Sequence, residues 1–180
     1  LVGRQIRRRL DHDLHHEVHS AWDELSAFWD ERMEAGTTWQ RHLIQPSVER
    51  LLHLGPGERV LEIACGNGEF ARRMSELGGQ VVAVDFSEGM LERARAHGGD
   101  VDYRHTDAMA ERALLALGEP GSFDAVVSNM AIMDMESIEP MVAAATDSIT
   151  PSSEHFAVSI ASAKSIRSFM STKGIASRIG

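Results

Sequence analysis

The sequence predicts an α/β fold, in which a doubly wound, mainly parallel sheet carries helices on both faces and follows an N-terminal helical extension. Short apolar runs of strand type alternate with segments whose apolar residues recur every three or four positions, and glycines separate the two. Strands that alternate with helices in this way usually form a parallel sheet. The predicted strands are 60–64, 81–85, 101–105, 123–128 and 156–160.

The N-terminal extension is predicted to be helical over residues 4–35, and a possible cap at Ser20 and Asp23 predicts a break near His19. After Gly36, an apolar stripe from Trp39 to Leu52 predicts a further helix. The apolar positions of the first stretch are Ile6, Leu10, Leu14, Val18, Trp22, Leu25, Trp29 and Met33, and those of the second include Leu43, Ile44, Val48 and Leu51.

Histidines cluster in this extension. The pairs His12/His16 and His15/His19 are each four residues apart, so each pair shares a helix face at a spacing that can bind metal. The order His-Glu-x-x-His of zinc proteases is absent, and a solvated polar face without metal is therefore the prediction.

Composition limits the function classes. The chain has 180 residues, of which 43% are hydrophobic, which suits one globular domain. Its net charge of −9 gives no reason to expect nucleic-acid binding. A single cysteine fits a reducing, cytoplasmic compartment. No apolar run is long enough to span a bilayer, and the arginines near the N-terminus precede no signal-type apolar segment.

A glycine loop organises the chain. The strand ending at Ala64 is followed by Gly66 and Gly68 and then by a helical pattern, and the next strand ends on Asp85. Glycine permits a tight turn and lets a ligand approach the backbone, while a helix N-terminus suits an anionic group. An acidic residue after the second strand can accept ribose hydroxyls. The pattern therefore predicts a nucleoside-bearing cofactor, and Gly66-x-Gly68-x-x-Ala71 leaves a dinucleotide open.

Four ordered motifs within about residues 40–160 narrow this choice. They are Glu62-x-Ala64-x-Gly66-x-Gly68, the segment Val84 to Leu91, Thr106-Asp107-Ala108, and the segment Phe123 to Ala131. Together they resemble the class I S-adenosylmethionine-dependent methyltransferase family, of the small-molecule type represented by methyltransferase domains 11 and 25. The family usually has glycine where Ala64 stands. The resemblance implies a Rossmann-like fold, S-adenosyl-L-methionine as cofactor and a small-molecule acceptor.

The resemblance also implies roles for individual residues. The amino-acid end of the cofactor would be held by Glu62 and by the backbone of Ala64, Cys65, Gly66 and Gly68, and the ribose by Asp85. The adenine would lie between Phe86 and Met90, with its edge bound by Asp107 and the Ala108 N–H, and Asn129 and Met130 would line the pocket.

The resemblance implies acceptor-side roles as well. Asp134 would contact the acceptor as a catalytic base, and Trp29 and Trp39 would flank a lid over the cofactor and substrate.

Structural alternatives exist for several of these side chains. Asp85 could be a solvated strand-end carboxylate, Asp107 a helix cap, and Met90, Trp29 and Trp39 core residues. Cys65 is expected to be a small packing residue, because no neighbouring group marks an activated thiol.

The predicted organisation has an N-terminal helical cap over 1–54, a cofactor-binding core over 55–161 and a divergent or truncated tail over 162–180. The two antiparallel strands that the family usually adds after the fifth strand are not recognisable. Two other functions therefore stay open: an NAD(P)-dependent oxidoreductase, which the motif-I acid and Asp107-Ala108 disfavour, and a methyltransferase-like module that binds without turnover.

Overall fold

A computed structural model describes residues 15, 17–31, 40–150 and 156–159, and the described part contains a five-stranded parallel sheet. The strands are β1 (Arg59–Ile63), β2 (Gln80–Asp85), β3 (Val101–His105), β4 (Ala125–Asn129) and β5 (Phe156–Ser159). Their order is β3-β2-β1-β4-β5, and every neighbouring pair is parallel. The chain moves outward from β1 to β3 and then resumes on the other side of β1. The predicted doubly wound topology is confirmed, and its switch point lies between β1 and β4.

Helices connect the strands. Helix α1 covers residue 15 and residues 17–31. It is followed in the described residues by a π-helical segment (Gln40–Ile44), α2 (Gln45–Leu52), α3 (Glu69–Glu76), α4 (Glu88–Ala96), α5 (Glu111–Leu115), a 3₁₀ turn (Ile132–Asp134) and α6 (Glu139–Ser148). None of the described helices is long and apolar enough to cross a bilayer.

Two apolar clusters cover the two faces of the sheet. Val60 belongs to the cluster that contains Leu52, Phe70 and Met74 from the helices α2 and α3. The next residue, Leu61, belongs to the other cluster, together with apolar residues of α5 and α6. This alternation follows from the two-residue period of a strand, whose successive side chains point to opposite faces. Residues of β1 are thus buried on both sides, and the carboxyl end of β1 is held at the centre of the sheet.

The predicted break in the N-terminal helix is wrong. Helix α1 continues through His19 without the predicted break, and the Ser20 hydroxyl donates to Glu24 one turn later instead of capping a new helix. The apolar stripe ending in α2 is only partly buried, because Val48 and Leu52 face the sheet while Leu43 and Leu51 are exposed. Of the predicted helix, residues 4–14, 16 and 32–35 lie outside the described residues, as does the tail 162–180.

Candidate cofactor-binding site

The loop after β1 has the backbone conformation that its glycines predict. Ala64, Gly66 and Gly68 all have positive φ angles, of 61°, 56° and 71°. Ala64 holds the left-handed conformation even though a Cβ disfavours it, which accounts for the glycine that the family usually has there. A Cβ added to Gly68 would collide with the ring of Tyr103, whereas one added to Gly66 would meet nothing within 4 Å. Gly66 therefore leaves open space beside the loop.

Asp85 fixes this loop from the end of β2. Its Oδ2 accepts the N–H of Gly66 at 2.8 Å, and its Oδ1 accepts the N–H of Ser87 at 2.9 Å. Burial raises the pKa of Asp85, and the backbone N–H groups oppose this effect. The side chain is buried, so the alternative of a solvated strand-end carboxylate is wrong. Each carboxylate oxygen retains a second lone pair that a hydroxyl group can use.

Glu62 lies in the middle of the sheet with an unsatisfied oxygen. It is 2% exposed, and its Oε2 makes no hydrogen bond with the described residues. Burial and the negative charge of Asp85 raise its pKa to about 8, while Arg72 opposes the shift.

The pKa of the Cys65 thiol is also raised mainly by burial, and the negative charges of Glu62 and Asp85 add to the shift. Cys65 is therefore a neutral buried thiol, which favours the predicted packing role over a nucleophilic one.

The end of β4 provides further unsatisfied polar atoms. Glu62 pairs in register with Val127, so Asn129, two residues later, lies on the same face of the sheet, and its side-chain oxygen is buried without a partner in the described residues. The Ser128 hydroxyl is also buried without such a partner, but on the opposite face. Met130 then takes a positive φ of 61°, which is uncommon for a bulky side chain. Buried polar atoms without partners are rare in native proteins and often mark a binding site. These atoms lie at the switch point, where open α/β sheets bind ligands.

Helix α1 crosses the loops that follow β1 and β2. Asp23 Oδ1 accepts from the Ser87 hydroxyl at 2.5 Å and from the Gly89 N–H at 3.2 Å. Asp30 Oδ1 accepts from Asn67 Nδ2 at 2.9 Å. These five residues join α1 to the start of α4 and to the glycine loop. The sequence showed α1 to be amphipathic but carried no signal for where it would dock, so Asp23, Asp30 and Asn67 were missed.

The histidines of α1 contact the predicted adenine-binding residues. His15 Nε2 lies 2.9 Å from Asp107 Oδ2. The ring of His19 stacks on Phe86 with centroids 4.0 Å apart and an interplanar angle of 24°. The expected solvated polar face is therefore wrong for His15 and His19, whose side chains are about 30% exposed. The expectation failed because the face of α1 that is covered depends on where the helix docks, and the spacing of the histidines does not predict this.

The remaining predicted site residues have mixed surroundings. Asp107 Oδ1 accepts the N–H of Met109 at 2.8 Å, so Asp107 also orders its own loop. Met90 and Ala108 are both 4% exposed and have the burial of core residues. Trp29 packs against Trp22 with ring centroids 5.7 Å apart. Trp39 lies outside the described residues.

Asp134 closes the 3₁₀ turn that follows β4. The turn places it on the surface beyond Asn129 and Met130, and its N–H donates to the Ala131 carbonyl at 3.0 Å. Partial desolvation raises the pKa of its carboxylate. The side chain makes no hydrogen bond with the described residues, so it is available to a small molecule that reaches the end of β4.

Comparison with known proteins agrees with this geometry. Residues 60–152 match the family described as methyltransferase domain. The chain is 45% identical over 82 residues to a ubiquinone biosynthesis O-methyltransferase of Dinoroseobacter shibae, covering 43% of this chain and 31% of the relative. It is 32% identical over 141 residues to the protein of the same name from Burkholderia pseudomallei, covering 76% of this chain and 59% of the relative. The chain thus spans at most about three fifths of the length of these two relatives.

A solved structure gives the same family from three-dimensional similarity. The S-adenosylmethionine-dependent methyltransferase from Mesorhizobium loti aligns with a TM-score of 0.55 and 30% sequence identity, covering 63% of this chain and 51% of that one. The family match covers more than half of the chain and includes β1 to β4, the glycine loop and Asp85. The chain therefore belongs to the class I S-adenosylmethionine-dependent methyltransferase family.

Proposed function

We propose that this chain binds S-adenosyl-L-methionine and transfers its methyl group to a small-molecule acceptor. The observation that carries this proposal is the pair of unsatisfied buried oxygens of Glu62 and Asn129, on one face of the sheet at the switch point, beside a glycine loop that is open at Gly66. A polar ligand would supply the missing hydrogen bonds, and each buried polar atom that lacks one costs about 1–3 kcal/mol of folding free energy. The family supplies the identity of the ligand.

The residues present fit the cofactor. The cationic ammonium of its amino-acid end would lie against Glu62, whose buried carboxylate has no cationic hydrogen-bond partner in the described residues. The ribose hydroxyls would donate to Asp85, and the adenine would lie among Phe86, Met90, Asp107 and the N–H of Ala108. The cofactor supplies a methyl group on a sulfonium, which is already activated toward nucleophiles. The chain's own work is to position the partners and exclude water.

Helix α1 would serve to exclude water. It is held by Asp23 and Asp30 against both loops that form the proposed cofactor pocket. Trp29 lies on the same helix and would contribute to this cover, as predicted for the lid. A helix anchored by polar contacts can open for exchange of cofactor at smaller cost than one buried by a large apolar face.

The acceptor is proposed to be an aromatic hydroxyl compound of the kind from which quinones are made. The two curated relatives are named ubiquinone biosynthesis O-methyltransferases, and this name is the support for the class. A hydroxyl nucleophile benefits from a base that accepts its proton. Asp134, near the carboxyl end of β4 and with a raised pKa, is the candidate for that base.

Calorimetry with two ligands tests the cofactor. S-adenosylhomocysteine should bind the full chain with measurable heat, and NAD⁺ should not. Heat from NAD⁺ alone would favour the oxidoreductase alternative and overturn the proposal. A panel of catechols and hydroquinones with S-adenosylmethionine then tests turnover, detected as S-adenosylhomocysteine formed. Cofactor binding without turnover on any member would favour the non-catalytic module.

A further inference from the structure

Two histidines of α1 converge on one carboxylate of the β3–α5 loop. His15 Nε2 lies 2.9 Å and His19 Nε2 lies 3.8 Å from the same atom, Asp107 Oδ2. One ligand atom from each of the three side chains lies within 4.8 Å of the other two. The histidines are four residues apart, so one helix face presents both. No part of the proposed cofactor binding requires these two imidazoles.

The spacing suits a tetrahedral metal ion. Zinc binds imidazole nitrogen at about 2.0–2.1 Å and carboxylate oxygen at about 2.0–2.2 Å. Two ligand atoms on a tetrahedral ion are then about 3.3 Å apart. The observed separations of 2.9 and 3.8 Å lie on either side of this value. Relative to Asp107 Oδ2, shifts of about half an ångström would bring each histidine to this separation. The ligand atoms of the two imidazoles lie within 4.8 Å of each other and would also have to reach this separation.

His19 provides a second observation that points to a ligand. Its Nε2 is buried and has no hydrogen-bond partner in the described residues, although it faces a carboxylate. A buried imidazole nitrogen without a hydrogen bond is available to a metal ion, for which neutral histidine is a common ligand.

Asp107 is oriented for coordination. Its Oδ1 is occupied by the N–H of Met109 at 2.8 Å, which leaves Oδ2 directed at the histidines. Hydrogen bonds of this kind fix the orientation of metal ligands. The stack of His19 on Phe86 restrains the ring in the same way. A preorganised carboxylate and a restrained imidazole lower the entropy cost of binding an ion.

We propose that His15, His19 and Asp107 form a binding site for a divalent transition-metal ion of the zinc type, which fastens α1 to the β3–α5 loop. Three protein ligands leave one position for water, and the three side chains are partly exposed, so solvent reaches the ion. This site departs from the sequence-based expectation of no metal.

The site has a consequence for the cofactor, and this consequence rests on the proposed function. Asp107 would bind the adenine amino group when the cofactor is present and the metal ion when it is absent. Metal and cofactor should therefore compete, and each should weaken the apparent affinity of the other in proportion to its own concentration divided by its dissociation constant.

Titration of the full chain with Zn²⁺ alone tests the site. His19→Gln, which keeps the bulk of the side chain but removes the ligand nitrogen, should weaken Zn²⁺ binding by about tenfold or more, as should Asp107→Asn. His42→Gln is the matched control, because His42 is an exposed histidine of the π-helical segment. It should leave the affinity unchanged. Circular dichroism checks that each variant is folded.

Two results would overturn the metal site. One is absence of Zn²⁺ binding by the folded chain, and the other is equal binding by the wild type, His19→Gln and Asp107→Asn. Co²⁺ provides a readout independent of affinity, because tetrahedral coordination gives intense visible absorption that His19→Gln should abolish. S-adenosylhomocysteine affinity, measured with Zn²⁺ and with a chelator, tests the competition separately. A failure of cofactor binding in chelator would contradict the proposed function and leave the metal result standing.

Discussion

Asp30 of helix α1 accepts a hydrogen bond from Asn67 of the glycine loop, with 2.9 Å between Asn67 Nδ2 and Asp30 Oδ1. The same carboxylate lies 2.8 Å from His97 Nε2 and 3.5 Å from Arg93 Nη1, at the C-terminal end of α4. One side chain on α1 therefore links the loop after β1 to the far end of the helix after β2. These contacts fix α1 against the glycine loop and α4, which supports the proposal that this helix forms a wall of the cofactor pocket.

Asp30→Ala should loosen α1 from this pocket. The substitution leaves Asn67 without its acceptor and removes the charge that faces Arg93. Amide hydrogen exchange over 17–31 should become faster, while exchange in β1 and β2 should stay slow, because the sheet is buried by other contacts. Glu31→Ala is the matched control, since Glu31 is its exposed neighbour. Equal exchange in the two variants would contradict the anchoring role.

Gly66→Ala should weaken cofactor binding without unfolding the chain. Gly66 has a φ of 56° and open space around its missing Cβ, so alanine costs only the left-handed strain of about 1–2 kcal/mol. A methyl group there would occupy the space beside the loop. Gly57→Ala is the control, because Gly57 also has a positive φ, of 84°, and open space. Both should lose similar stability in urea titrations, and only Gly66→Ala should lose S-adenosylhomocysteine affinity. Equal affinity would mean that the cofactor does not lie there.

Asp85→Asn should weaken cofactor binding while largely keeping the loop. The amide oxygen can still accept one of the two backbone N–H groups that Asp85 holds, but the charge that is proposed to bind the ribose is lost. The loss should be about 1.5–3 kcal/mol, or roughly tenfold to 150-fold in dissociation constant by calorimetry. Asp102→Asn on the adjacent strand serves as control, because Asp102 is exposed and bonds to Arg104. An unaltered constant for Asp85→Asn would refute the ribose assignment.

Glu62 should make the stability of the cofactor-free chain depend on pH. Its pKa is about 8 in the folded chain, against 4.5 for an ordinary glutamate, so the folded state holds a proton that the unfolded state has lost. Its contribution to stability is fully present below the unfolded pKa and is lost as pH rises through the folded pKa. In urea titrations, the free energy of unfolding should fall by a few kcal/mol more in the wild type than in Glu62→Gln across this window. Parallel pH profiles would contradict the buried proton.

Cofactor binding should release that proton. A cationic ammonium beside Glu62 favours the ionised carboxylate and lowers its pKa. Calorimetry at pH 7 in buffers of different ionisation enthalpy should therefore show proton release with S-adenosylhomocysteine in the wild type and less in Glu62→Gln. Identical proton counts would place the ammonium elsewhere.

Asp134→Asn tests the proposed base. If Asp134 accepts the proton of a hydroxyl acceptor, the variant should lose about a hundredfold or more in kcat, with little change in cofactor affinity. Glu136→Gln, an exposed carboxylate two residues later, is the control. Full turnover by Asp134→Asn on the acceptor identified in the panel would remove Asp134 from the mechanism.

The sequence predicted the sheet and the glycine loop better than the helices that cover them. The strand β3 was predicted with the bounds that the structure has, because strand periodicity and the flanking glycines are local signals. Asp85 was predicted at the end of β2, and its burial and its bond to Gly66 follow from the parallel register of β1 and β2. Strand periodicity, the glycine loop and the acidic residue at a strand end are each recognisable within a few consecutive residues.

The docking of α1 could not be predicted, since it depends on contacts between residues far apart in sequence. His15 and Asp107 are separated by 92 positions, and Asp30 and Asn67 by 37. Apolar residues on α1 and α2 satisfied helical periodicity, yet Leu25 and Leu51 are exposed. The assignment of individual residues to the cofactor, and the division into a cap, a core and a tail, remain predictions.

The tryptophans of α1 give this protein an internal optical probe. Trp22 and Trp29 pack together on α1, the helix whose Asp23 and Asp30 accept hydrogen bonds from the loops after β2 and β1. Indole emission depends on local polarity and on neighbouring groups, so lifting or pressing of this helix changes the signal without any attached dye. Ligand entry and departure can then be timed by stopped-flow mixing of the unmodified chain.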